Sequence, residues 1–218
     1  RRTTSTMKLE KIEPLDSPNY LRLIFDDGKR LKAPAFKVVE LGLTIGAEVT
    51  PEDFLALENA QSFASCKERA VRILTASGLS KKELQKRLVQ KGESEENAEA
   101  AVSWLEELHL IDDLETAKQL VRSANLRGYG RARAKSILYE KGIPKELWDE
   151  ALEEFGETDG AIDAFLRKKL SGRTLDQKTI KKAVDALIRR GHSYHDIQEG
   201  LRRLEADCEP MDTWEDME

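Results

Sequence analysis

The chain has 218 residues and a net charge of −5, and 39% of its residues are hydrophobic but only 6% aromatic. This composition favours a soluble, surface-rich helical protein over one built around a single deep core. No apolar run reaches the ~18 residues that a membrane helix needs, and no charged-then-apolar leader is visible, so we expect a cytoplasmic protein without membrane contact.

Charge and thiols are unevenly placed along the chain. Residues 161–205 hold eleven basic and six acidic residues, a net charge of +5, whereas residues 206–218 hold six acidic and no basic residues. The acidic end either competes with an anionic ligand for the basic segment or is simply solvated, and both interpretations stay open. Cys66 and Cys208 stand in unrelated contexts, which predicts two reduced thiols rather than a structural disulfide.

The first part of the chain is predicted to form a small β-meander. Lys8–Glu13 and Tyr20–Phe25 are strand candidates, Asp26-Asp27-Gly28 is a hairpin signal, and Lys29–Lys32 follows as a third strand. A three-stranded sheet of this size is too small to be stable alone, so we expect it to pack on a helix.

Helix signals begin after the meander. Pro34 can open a short helix that Gly42 closes, and Thr50-Pro51 places a cap and a first-turn proline at the start of another helix. From Asn59 onward the pattern predicts one helix after another. The predicted helices are 61–77, 81–91, 95–108, 113–126, 130–141, 145–155, 159–171, 175–190 and 194–205.

Sequence caps support several of these boundaries. Ser80-x-x-Glu83 and Thr174-x-x-Gln177 match the capping box, Asp112 precedes the helix predicted from 113, and Ser193 precedes the last helix. Trp104 and Trp148 fall on apolar helix faces, and we expect them to pack in cores rather than to stack on a ligand. These signals locate helix ends and carry no chemistry.

Glycines and apolar residues recur in three copies. Gly78 and Gly92 are fourteen residues apart, as are Gly128 and Gly142, and in the third copy Gly172 and Gly191 are nineteen apart. Apolar residues lie eight and four residues before the second glycine of each copy: Leu84, Leu88, Ala134, Leu138, Ala183 and Leu187. Others lie ten and thirteen residues after it: Val102, Leu105, Leu152, Phe155, Leu201 and Leu204. Such spacing marks one face of a helix, and a period near fifty residues predicts an array of three-helix repeats.

The predicted fold class is therefore mainly α, with three tandem three-helix repeats in an elongated array after a small β-containing N-terminal segment. The predicted segments are a tail or artificial remnant at 1–6, the β-meander with short helices at 7–58, repeats at 59–110, 111–157 and 158–205, and the acidic tail at 206–218.

No catalytic constellation stands out in the sequence. His192, His195 and Asp196 form the one metal-like cluster, and no second His/Cys cluster completes a ligand set. Gly128-Tyr129-Gly130 lacks the Lys-Ser/Thr of a phosphate-binding loop. We therefore expect a protein that is not an enzyme and that uses no cofactor or metal.

The candidate binding residues are basic side chains on predicted helices, which suit a phosphate backbone or an acidic protein surface. In the second repeat they surround an aromatic residue: Arg122, Arg127, Tyr129, Arg131, Arg133 and Lys135. In the third repeat they form a larger set: Arg167, Lys168, Lys169, Arg173, Lys178, Lys181, Lys182, Arg189, Arg190, Arg202 and Arg203. Any one of them could instead be a solvated side chain whose stem covers apolar surface.

Four segments in this order resemble the RecX family, bacterial regulators of the RecA recombinase. They are LSKKELQKRLVQKG at 79–92, LIDDLETAKQLVRS at 110–123, GYGRARAKSILYEKGI at 128–143 and RRGHSYHDIQEGL at 189–201. The resemblance covers about residues 61–205. It implies three helix-turn-helix-like repeats and a non-enzymatic protein that lies in the groove of the RecA filament on single-stranded DNA. Such a protein would limit filament growth, strand exchange, ATP hydrolysis and co-protease activity, with a role in recombination, repair and the SOS response.

Three functional hypotheses remain at this point. The first is a monomeric regulator whose partners are RecA and the RecA filament on single-stranded DNA. The second is a module that binds single- or double-stranded DNA directly through the basic third repeat, which is compatible with the first. The third is a metal-dependent nuclease built on His192, His195 and Asp196, for which the sequence offers least support.

Overall fold

The computed structural model describes residues 6–75, 78–170 and 177–208. The chain divides into two compact units, one formed by Arg1–Gly78 with Leu84–Ile111 and the other by Leu79–Glu83 with Asp112–Glu218. No helix within the described ranges is long and apolar enough to cross a membrane.

The first unit begins with an antiparallel sheet. Its strands are β1 (Met7–Pro14), β2 (Tyr20–Phe25), β3 (Arg30–Pro34) and β4 (Glu48–Val49), in the order β3-β2-β1-β4. The three predicted strands are confirmed, and the short β4, which pairs with the start of β1, was missed. Two residues are too few to produce a period-2 pattern, so the sequence carried no signal for this strand.

Helices complete the first unit. They are α1 (Ala35–Glu40), α2 (Pro51–Thr75), most of α3 (Lys81–Gln90), and α4 (Glu95–Glu107). The aromatic rings of Phe25 and Phe54 meet edge to face with centroids 5.4 Å apart, so α2 supplies the support that the small sheet needs.

The prediction of two helices between 51 and 77 is wrong, because α2 is one continuous helix of 25 residues. The sequence at 58–61 includes neither glycine nor proline, so no residue there breaks the helix. The predicted boundary at residue 59 therefore falls inside α2, and the division of the chain into three repeats stays a prediction.

The predicted caps in this region are confirmed. Thr50 Oγ1 accepts from the amide of Asp53 at 3.1 Å, and the Asp53 carboxylate accepts from the amide of Thr50 at 3.2 Å.

Cys66 is fully buried, and its Sγ donates to the carbonyl oxygen of Asn97 at 3.4 Å. Burial raises the pKa of this thiol to about 11. Its thiolate is therefore scarce at neutral pH.

The second unit contains two helical groups, each with its own core. The first group holds α5 (Asp113–Leu126), α6 (Arg131–Glu140) and α7 (Trp148–Ala151), with 3₁₀ turns at Lys145–Leu147 and Leu152–Glu154. The second group holds α8 (Asp159–Leu170), α9 (Gln177–Arg189) and α10 (Tyr194–Cys208). The predicted single helix over 145–155 is wrong. Apolar residues spaced three and four apart fit a 3₁₀ turn and an α-helix alike, so spacing could not distinguish them.

The repeat pattern does mark the cores. Ala134, Leu138, Ala183 and Leu187 are at most 4% exposed, and so are Leu84 and Leu88 of α3. The second glycine of each copy ends the middle helix with positive φ: +94° at Gly92, +69° at Gly142 and +88° at Gly191. This left-handed conformation is strained for residues with a Cβ, which explains why glycine recurs there.

The remaining caps among the described residues, and Trp148, follow the predictions. Asp112 accepts from the amides of Leu114 and Glu115, and Ser193 accepts from that of Asp196. Trp148 is half-buried against the core of its group and donates from Nε1 to the carbonyl oxygen of Ile143 at 3.0 Å. The capping box predicted at Thr174 lies outside the described residues.

Candidate interaction surface

A backbone contact joins the two helical groups of the second unit. The amide of Gly130, at the start of α6, donates to the carbonyl oxygen of Arg190 at 2.9 Å, and the amide of Ala132 donates to that of Gly191 at 3.2 Å. A Cβ added to Gly130 would lie less than 3.0 Å from the Gly191 carbonyl group. A Cβ added to Gly191 would lie less than 3.0 Å from the backbone of Arg133. We call this contact, centred on Gly130 and Gly191, the glycine joint.

Two predicted binding residues lie in the glycine joint. Arg190 donates from Nη2 to the carbonyl oxygen of Arg127 at 2.8 Å, and from Nε to that of Gly128 at 3.4 Å. Its guanidinium lies 5.2 Å from the ring centroid of Tyr129 and 5.6 Å from that of Phe165. Arg190 thus satisfies carbonyl groups at the end of α5 and packs on two aromatic rings. Any contact of Arg190 and Tyr129 with a partner stays a prediction.

His192 also belongs to the glycine joint. The Nε2 atom of His192 lies 3.1 Å from the carbonyl oxygen of Gly128, and His192 is 6% exposed. Burial lowers the pKa of His192 below the usual range, and the neighbouring Arg190 lowers it further, so the neutral ring with a proton on Nε2 fits the site.

The metal-like cluster is not assembled around His192. Its ring faces Gly128, while His195 is exposed on the first turn of α10. In the described part of the chain no group of three or more His, Cys, Asp or Glu side chains is placed to hold a metal ion.

A similar contact occurs at the start of α3. Ser80 Oγ donates to the carbonyl oxygen of Lys141, which precedes Gly142 as Arg190 precedes Gly191. A Cβ on Gly142 would stand 2.6 Å from Cδ of Lys82. Ser80 and Gly130 both lie twelve residues before the glycine that ends their own helix, so the same position receives the turn in both contacts.

Charged groups reinforce this contact at Ser80. Lys141 Nζ lies 2.8 Å from Glu83 Oε1, and the buried carboxylate of Asp113 accepts from the amide of Lys81 at 2.8 Å. Ser80 also accepts from the amide of Glu83, which confirms the capping box predicted there. Asp112 is therefore the cap of α5, while its neighbour Asp113 ties the start of α3.

Most predicted cations of the second repeat have partners inside the chain. Arg122 pairs with Glu154 at 3.1 Å, and Arg133 pairs with Glu140 at 2.7 Å. Arg131 Nη1 donates to the carbonyl oxygen of Leu152 at 3.2 Å. Arg127 and Lys135 are exposed. The side chains of this group are therefore less available to a partner than the sequence indicated.

The predicted cations of the third repeat differ in their contacts and in their exposure. Arg203 holds Asp163 with both Nε and Nη2, at 2.9–3.1 Å, and Arg202 pairs with Glu199 one turn earlier. The Lys169 ammonium lies 5.9 Å from the ring centroid of Phe165. The exposed predicted residues of α8 and α9 are Arg167, Lys168, Lys169, Lys178, Lys181, Lys182 and Arg189. Arg173 lies outside the described residues.

A cavity of about 370 Å³ lies beside these exposed cations. Among described residues it is lined by Lys169, Thr179, Lys182, Ala183, Asp185, Ala186 and Arg189. It thus collects three predicted binding residues from the end of α8 and from α9. The sequence pattern alone could not show that Lys169 and Arg189, twenty residues apart, share one cavity.

Tyr139 is an exposed aromatic residue that the sequence pattern did not single out. Tyr139 is 71% exposed on α6, whereas the predicted Tyr129 is half-buried. Tyr139 lies three residues before Gly142 and directly follows Leu138 of the buried stripe. Its position outside the spacing of Ala134 and Leu138 was the sequence signal that it is exposed.

Comparison with known proteins gives consistent matches. Residues 66–105 match the family model for the RecX first three-helix domain, and residues 112–152 match that for the second three-helix domain. A regulatory protein RecX of Clostridium beijerinckii is 28% identical over 207 residues, covering 91% of this chain and 96% of the relative. A regulatory protein RecX of Vibrio parahaemolyticus is 32% identical over 139 residues, covering 63% of this chain and 90% of the relative.

Solved structures share the fold. A crystal structure of regulatory protein RecX superposes with a TM-score of 0.74 at 22% identity, covering 88% of this chain and 99% of the other. The crystal structure of RecX from Lactobacillus salivarius gives a TM-score of 0.60 at 22% identity, covering 67% of this chain and 99% of the other. These two similarities support the mainly helical fold with its small β segment.

Proposed function

The chain belongs to the RecX family, and on that premise we propose that it binds the RecA filament on single-stranded DNA and mostly inhibits its recombinase, ATPase and co-protease activities. The observation that carries this proposal is the similarity to a regulatory protein RecX across 91% of the chain. The tandem match to both three-helix domain models supports it.

The proposed mechanism uses binding alone. Exposed cations on α8 and α9 offer a positive surface to an anionic partner, and the glycine joint holds their helical group on the preceding one. Backbone hydrogen bonds with no space for a Cβ leave little freedom at this contact. A regulator that bridges neighbouring filament subunits needs such rigidity, because a flexible link would lose binding free energy to ordering.

The test is to add the protein to RecA on single-stranded DNA with ATP and to follow ATP hydrolysis and filament length. We expect hydrolysis to fall and filaments to shorten. Unchanged hydrolysis together with unchanged length would contradict the proposal. A pull-down of RecA with and without single-stranded DNA then separates binding to the filament from binding to free RecA.

A second function, direct DNA binding, is favoured by the exposed cations of α8 and α9. Phosphate contacts release counterions, so the affinity for DNA should fall steeply with salt. Undetectable or salt-independent binding would contradict it. Both functions are non-enzymatic, and DNA that stays intact during incubation with Mg²⁺ or Mn²⁺ is the expected control result.

A further inference from the structure

The contacts at Ser80 and at Gly130 define a receiving position on the middle helix of a repeat. In both contacts, a turn made of a basic residue followed by glycine packs against the start of another helix. The residues that it contacts lie nine to twelve positions before the glycine that ends this receiving helix. They are residues 80–83 in α3 and residues 130–133 in α6. The equivalent residues of α9 are Thr179, Ile180, Lys181 and Lys182.

The cavity beside α8 and α9 lies at this receiving position. Thr179 and Lys182 line it, and so do Ala183, Ala186 and Arg189 further along α9. None of the described lining residues belongs to α10, the helix that follows. At the position where α6 receives the Arg190-Gly191 turn, the described residues of α9 therefore border a cavity.

The charge at the receiving position differs between the helices. In α3 it carries Glu83, which pairs with the incoming Lys141. In α6 the equivalent residue is Arg133, which pairs with Glu140, and in α9 it is Lys182. Among the described lining residues, Lys169 and Arg189 add two further cations, and Asp185 supplies a carboxylate. The cavity is therefore suited to an anionic group.

We propose that this cavity binds a backbone phosphate of single-stranded DNA. The inference rests on the direct DNA binding proposed above and assigns it to one place. Lys178 lies one helical turn, about 6 Å, before Lys182, so cations continue along α9 beyond the cavity, as a chain of phosphates requires.

The lining distinguishes a polynucleotide from an acidic protein. Among the described lining residues the apolar side chains are those of Ala183 and Ala186, and none is an aromatic anchor of the kind that dominates protein interfaces. The same described residues include no asparagine or glutamine to read base edges. Recognition through phosphate alone predicts binding without sequence preference.

The experiment measures the anisotropy of a labelled oligothymidylate with the full chain, without RecA, over a KCl series. In the double variant Lys169→Gln/Lys182→Gln, two lost phosphate contacts should reduce the slope of log affinity against log salt by about 1.4. Affinity at low salt should fall roughly tenfold or more. The control Lys86→Gln/Lys145→Gln removes the same charge from exposed lysines elsewhere and should keep the slope of the wild type.

A second pair of variants tests the cavity rather than net charge at distant sites. Ala186→Glu places a carboxylate among the lining cations and should abolish most binding, while Ala186→Gln, of nearly equal size, should retain more of it. Thermal unfolding of each variant checks that the fold persists. If the cavity variants and the lysine control lose the same slope, or if polyglutamate displaces the probe better than unlabelled oligothymidylate, the inference is overturned.

Inhibition of RecA ATP hydrolysis, measured with the same variants, separates the two proposals. Cavity variants that lose DNA binding but still inhibit RecA support the inference and place filament binding on another surface. Normal DNA binding by the cavity variants overturns the inference and leaves the regulation of RecA standing.

Discussion

The amide of Gly130 donates to the carbonyl oxygen of Arg190 across sixty residues of sequence, at 2.9 Å. This bond brings the start of α6 against the turn after α9 with no space for a side chain on either glycine. Gly130 has φ of −81°, an ordinary value, so it is the close backbone approach and not its own conformation that requires glycine.

Gly130→Ala should therefore destabilise the protein sterically. We expect the free energy of unfolding in urea to fall by about 3 kcal/mol, the upper end of overpacking costs. Gly160→Ala is the matched control, because a Cβ there meets nothing within 4 Å and Gly160 lies in α8. It should be neutral or stabilising by up to about 1 kcal/mol. Equal stability of the two variants would contradict this prediction, because it would show that the backbone at the glycine joint can move to accommodate a Cβ.

Tyr129→Ala and Tyr139→Ala should have different effects on stability. Tyr129 packs under Arg190 in the glycine joint, so its loss should cost about 1–3 kcal/mol in chemical denaturation. Tyr139 is 71% exposed, so its loss should change stability by no more than about 0.5 kcal/mol. A larger loss from the Tyr139 variant would contradict the positions of both rings.

His192 should make stability depend on pH. Its pKa is lowered in the folded state, so the unfolded state binds more protons in the window below the usual histidine value near 6.5. The stabilisation is full above that value and is lost as pH falls toward the lowered pKa. We expect the free energy of unfolding to decrease more between pH ~7.5 and ~5.5 in the wild type than in His192→Gln. His195→Gln, at an exposed site, should follow the wild type.

Charge reversal on α9 should weaken regulation of RecA. Lys181→Glu/Lys182→Glu turns two exposed cations of α9 into anions and should raise the concentration needed for half-inhibition of RecA ATP hydrolysis roughly tenfold. Lys86→Glu/Lys145→Glu makes the same change elsewhere. Lys81 and Lys82 are unsuitable controls, because both lie in the contact around Asp113 and Gly142. Equal inhibition by both variants would argue that the charge asymmetry is incidental.

Errors in the predicted elements occurred where local patterns were ambiguous. Helix α2 continues through residue 59 because no residue there ends it, although the repeat pattern indicated a boundary. The segment from Lys145 to Glu154 satisfies its apolar spacing with 3₁₀ and α turns in succession. In both cases the apolar residues were identified correctly and the backbone path was not.

Apart from the segment at 145–154, the described helices after residue 79, with their described caps and buried stripes, followed from sequence, because capping and periodicity depend on residues within about one or two helical turns. Which cations are available to a binding partner could not be predicted from the sequence. Arg190 is occupied by the carbonyl groups of Arg127 and Gly128, more than sixty residues away in sequence, while Lys169, Lys182 and Arg189 meet around one cavity. A charged side chain looks the same in sequence whether it faces solvent or a distant carbonyl group, so only tertiary packing distinguishes a binding cation from a structural one.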